Sequence, residues 1–93
     1  MLTNVYLSGR LGDIVDKNIR YVEVERPLAS QSGKRKSDYI PVYSPLGKSA
    51  CFFKAKNGTF VIIKGRMEKH EQYGLIVHSE IEEIIDFKKE DQE

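Results

Sequence analysis

The chain has 93 residues, with 15 Lys plus Arg against 14 Asp plus Glu, for a formal net charge of +1. That length holds one domain and excludes a two-domain enzyme, a dinucleotide-binding unit with a separate substrate domain, and an eight-fold β/α barrel. At 40% hydrophobic and 31% charged, it reads as globular rather than disordered.

In chain order, residues 5–8 alternate and run into Gly9, Arg10, Leu11 and Gly12. This pattern predicts a strand with a bend or bulge at a glycine. Residues 19–26 alternate again, with Val22 and Val24 on one face and Ile19, Tyr21, Glu23 and Glu25 on the other. Pro27 stops them. Residues 29–37 are polar, hold Gly33 and carry Lys34, Arg35 and Lys36 in a row, which reads as a mobile hairpin loop. Residues 38–43 form the next strand, with Ile40 and Val42 facing one way and Tyr39, Pro41 and Tyr43 the other. Proline cannot donate to a ladder, so the nitrogen of Pro41 is expected at a bulge or a free edge.

Residues 45–56 change period. Leu46, Ala50 and Phe53 recur at helical spacing, which predicts one short helix ended by Asn57 and a left-handed Gly58 cap. Phe52 and Phe53 read as helix-to-barrel packing. Residues 59–68 are the strongest strand, with Val61, Ile63 and Met67 on one face, Gly65 beside them, and Phe60, Ile62, Lys64 and Arg66 on the other. Residues 69–74 read as a second hairpin loop. Residues 75–81 form the last strand, with Leu75, Val77, Ser79 and Ile81 alternating. Five strands with a helix between the third and fourth is the order of an all-β OB-fold, a five-stranded Greek-key barrel. Glycines inside strands favour such a curled sheet over an open one with a covering helix. The expected division is a domain over 1–87 and a short acidic tail over 88–93.

Charge is unevenly spread. Residues 1–70 hold 13 Lys/Arg and 6 Asp/Glu, a balance of +7, whereas residues 71–93 hold 2 Lys and 8 Asp/Glu, a balance of −6. The near-neutral total therefore does not count against a polyanionic partner. A single cysteine, Cys51, excludes an intrachain disulfide framework and a thiolate metal cluster and fits a reducing cytoplasm. No signal peptide and no membrane-spanning run are read, so the expected location is cytoplasmic. The Asn57–Thr59 sequon reads as a turn. No cofactor or metal site is read. His70 and His78 are far apart in sequence and lack neighbouring ligands. Gly33-Lys34 lacks the rest of a phosphate loop, and no nucleophilic grouping argues for itself, so the expectation is not an enzyme.

Four segments resemble one family. Residues 4–11, with Asn4, Gly9, Arg10 and Leu11, are similar to the opening strand of bacterial and phage single-stranded DNA-binding proteins. Residues 37–42 resemble their third strand, where an acidic residue (Asp38) precedes an aromatic one (Tyr39). Residues 64–68 resemble their fourth strand, and residues 79–84 their acidic closing strand. The elements fall in the right order across residues 3–86. The resemblance implies little sequence preference, a role in replication, recombination or mobile-element transfer, and a homodimer or homotetramer. The tail has no proline-phenylalanine ending, which implies a DNA-binding domain without the arm that recruits replication proteins. There is no Trp, so stacking falls to Tyr39 and Tyr73.

The residues fit that chemistry. Single strands are held by cations that track phosphates and by rings that stack on bases. Tyr21, Tyr39 and Tyr43 oppose the apolar strand faces, as do Lys64 and Arg66, so one outer face is expected to show rings and cations together. Lys34, Arg35 and Lys36 sit on one hairpin loop, and Lys69 and Tyr73 on the other. Arg10 is the basic position of the opening strand. Lys64 and Arg66 could instead pair with Glu23 or Glu25, and a tyrosine in a strand often only packs. The alternative reading is an OB-fold that binds protein within a replication or primosome assembly.

Overall fold

The computed structural model describes residues 4–26 and 36–85. Five strands appear: β1 (Val5–Ile14), β2 (Ile19–Glu25), β3 (Ser37–Tyr43), β4 (Phe60–His70) and β5 (Gly74–Ile85). They close into a barrel in the order β1-β2-β3-β5-β4, antiparallel throughout except for the parallel β3–β5 seam. This is the OB-fold that the element order predicts. The seam joins only Val42 to Val77 and Tyr43 to His78. Among the described residues, 37–41 therefore have no ladder partner on that side, and Pro41 sits where a missing donor costs least.

Alternation places one side of each strand inside. Leu11, Val22, Val42, Val61, Ile63 and Val77 are each at most 3% exposed and form the core. Burying each such side chain contributes about 1.5–3 kcal/mol. Two glycines let the sheet curl tightly. A Cβ on Gly9 would collide with the carbonyl oxygen of Glu23, and one on Gly65 with that of His78. Gly65 also lies at a register break between β4 and β5, as expected of a bend there. The irregularity in β1 falls between Leu11 and Ile14, the stretch that holds Gly12, as expected of a bulge at a glycine.

The connection after β3 differs from the expected helix. It is two one-turn pieces, a 3-10 turn (Gly47–Ser49) and α1 (Cys51–Lys54), separated by Ala50 in an extended conformation. Ala50 and Phe53 are buried as the spacing suggests, but Leu46 is exposed and Phe52 is fully buried beside them. The segment closes the barrel end through Phe52 and Phe53, whose rings meet edge to face at 5.6 Å. Gly58 does have a positive φ of 90°, but it turns the chain into β4 three residues after α1's C-cap, Ala55. Met67, Leu75 and Ile81 are exposed, because the break at Gly65 and the ends of the long β4–β5 hairpin interrupt simple alternation. Of the expected loop over 29–37, residues 29–35 lie outside the described residues and Ser37 already belongs to β3. The tail and the end of the expected domain also lie outside the described residues.

Candidate nucleic-acid interface

The outward side of β1, β2 and β3 forms a cross-strand row of Arg10, Glu23 and Tyr39. Tyr21 stands beside it, with its ring 6.4 Å from that of Tyr39 and nearly perpendicular at 76°. Edge-to-face pairs are favourable and hold both rings in place. Tyr39 is nonetheless 59% exposed, so it is ordered on one edge and open on a face. Tyr21, Glu23 and Tyr39 line a groove of about 300 Å³ together with Asp13, Asn57 and Gly58. Gly12 and Gly58 contribute no side chains, so backbone forms part of its floor. Arg10 reaches only the Gly58 carbonyl, at a long 3.3 Å, among the described residues.

The rim is built on a buried cation. Arg20 is 2% exposed. Its Nε donates to the Gly12 carbonyl, Nη1 to the carbonyls of Phe52 and Ala55, and Nη2 to Asn57 Oδ1, each at 2.8 Å. Asn57 Nδ2 in turn donates to Asp13 Oδ1 at 2.9 Å. Arg20 thus satisfies two carbonyls at the end of α1 and ties that end to β1 and to the groove. Burial pushes the guanidinium's pKa down, and the nearby Asp13 carboxylate opposes that shift. Sequence reasoning missed this residue. The signal was present, since alternation puts position 20 on the Val22 and Val24 face.

The β4–β5 turn folds toward the same region. The Tyr73 hydroxyl donates to the Val15 carbonyl at 3.2 Å. His70 Nδ1 accepts from the backbone N–H groups of Gln72 and Tyr73, and its ring lies 5.2 Å from that of Tyr73. Burial chiefly raises the Tyr73 phenol's pKa, with Asp16 and Tyr21 adding to it.

The remaining candidates lie elsewhere. Tyr43 points outward but stacks on His78 at 4.9 Å and 28°. Lys64 falls between Tyr6 and Ile81 in register. Arg66 is bound by Glu68 at 2.7 Å and Glu80 at 3.0 Å. These two cations do not share a side of the barrel with Tyr21 and Tyr39, contrary to the expected single face. Alternation separates inside from outside, but closure puts β1 and β5 between β4 and the tyrosines. Nor does Arg66 pair with Glu23 or Glu25. Lys36 is exposed at the base of the β2–β3 hairpin, where its carbonyl accepts from the Arg26 N–H at 2.8 Å. Lys69 is exposed near the end of β4. Lys34 and Arg35 lie outside the described residues.

Comparison with protein-family models and with curated proteins finds no match to this chain. Among the described residues, no helix is long and apolar enough to cross a membrane.

Proposed function

We propose that this OB-fold barrel binds single-stranded DNA across the outward side of β1, β2 and β3, as a binding protein rather than an enzyme. The observation that carries the reading is Tyr39, an exposed ring braced by Tyr21 in a groove, with Arg10 in the same cross-strand row through Glu23. Bases stack on Tyr39 and Tyr21, while Arg10 and the basic run 34–36 between β2 and β3 meet phosphates. Stacking and phosphate contacts tolerate any base, so sequence preference is modest. The likeness to bacterial single-stranded DNA-binding proteins supports the same reading and a place in replication, recombination or mobile-element transfer. The test is fluorescence anisotropy with a mixed-sequence oligonucleotide. Binding at ~50 mM salt should fall steeply as salt rises, with a log–log slope of ~0.7 per phosphate contacted. No binding at low salt overturns the reading.

A second observation favours self-association. The outward side of β1, β4 and β5 exposes Tyr6, Ile62 and Ile81, with Tyr6 and Ile81 flanking Lys64 in one row. A homodimer would cover this side and leave the groove open. Sedimentation of the free protein tests it, and a monomer at all concentrations contradicts it. Capture of a replication protein without any DNA binding would favour the protein-interaction reading instead.

A further inference from the structure

Two carboxylates line the groove, and they are held differently. Asp13 accepts from Asn57 at 2.9 Å, within the network of Arg20. No hydrogen bond or ion pair among the described residues engages the Glu23 side chain. Arg10, its neighbour across β1, points instead to the Gly58 carbonyl. Its neighbour across β3 is Tyr39, the exposed ring.

A carboxylate in a phosphate-binding groove repels the backbone of any strand laid along it. It offsets that cost only by accepting hydrogen bonds, because it has no proton to give. The group within reach is the edge of a base stacked on Tyr39. Cytosine presents an amino donor at N4, and adenine one at N6. Guanine presents a donor pair on its pairing edge. Thymine presents a single N–H between two carbonyl oxygens, and those oxygens repel a carboxylate. We propose that Glu23 is a specificity-determining residue that reads the amino edge of the base stacked on Tyr39 and disfavours thymine there. The inference rests on the single-strand reading above and deepens it.

The experiment titrates oligocytidylate and oligothymidylate of equal length against the wild-type protein and Glu23→Gln, at mildly alkaline pH. Glutamine keeps the size of the side chain but removes its charge and adds a donor, so it can meet either base. The wild type should prefer cytidylate by about fivefold or more, the lower end of what one base-edge contact discriminates. Glu23→Gln should bind both strands alike and bind thymidylate more tightly than the wild type does. Equal wild-type affinity for the two strands, or a preference that survives the substitution, overturns the role of Glu23 while leaving single-strand binding intact. Failure of both strands and of a mixed-sequence strand to bind overturns the underlying reading as well.

Discussion

The two outward regions of this barrel carry similar residue types and differ in what those residues are doing. On β4 and β5, Arg66 is held by Glu68 and Glu80, and His78 is covered by the stacked ring of Tyr43. On β1, β2 and β3, Arg10 has one long bond to a carbonyl, and Tyr39 offers an open face. A guanidinium in two ion pairs must give them up before it can meet a phosphate. Availability, rather than position in an alternating pattern, therefore decides which cations can serve a polyanion.

The largest effect should come from the support beneath the open region. Arg20→Met leaves the Phe52 carbonyl without its donor in a buried place, and the carbonyls of Gly12 and Ala55 without theirs in partly buried ones. Unfolding free energy from urea titration should drop by about 3 kcal/mol or more, at 1–3 kcal/mol for each buried group left unsatisfied. A drop near zero would mean the rim does not depend on this anchor. Next, Tyr39→Ala should weaken oligonucleotide binding by about 1–3 kcal/mol, one stacking contact, with the melting temperature nearly unchanged. Tyr43→Ala should leave affinity close to wild type, because that ring is already stacked on His78. Equal losses at the two tyrosines would erase the distinction between the regions.

A smaller effect concerns acid. The Arg26 guanidinium donates to both Asp38 carboxylate oxygens, at 3.1 and 2.9 Å, and holds that carboxyl below the ordinary aspartate value of 3.8. A depressed carboxyl stabilises the fold above the unfolded-state pKa and loses that stabilisation as pH falls through the folded-state value. The pair is exposed, so the contribution is slight. Stability should sag a little more below about pH 4 in the wild type than in Asp38→Asn. Identical acid profiles would show that the pair does not brace the base of the hairpin.

Much of the fold is legible in the sequence because a small barrel buries one side of every strand, so period-two alternation marks each element and its inner face. Val22, Val42, Val61 and Ile63 follow from that rule, and Tyr21 and Tyr39 follow from it as outward residues. Two things escape it. Alternation says nothing about where around the barrel a strand lies, so Lys64 and Arg66 look like neighbours of the tyrosines until closure separates them. Arg20 alternates inward, but a charge is ordinarily assigned to the surface, and the carbonyls of Gly12, Phe52 and Ala55 with Asn57 Oδ1 make its burial favourable. The connection after β3 also defeats periodicity, because pieces one turn long are too short to show it.

The claim that single strands bind the open region is tested most directly by the salt dependence of oligonucleotide affinity in three proteins, the wild type, Arg10→Ala and Arg66→Ala. The wild type should bind with a steep slope. Arg10→Ala should lower the slope by ~0.7, the loss of one phosphate contact, and Arg66→Ala should leave it unchanged. A slope that falls with Arg66→Ala and not with Arg10→Ala would place the strand on the other side of the barrel and contradict the account.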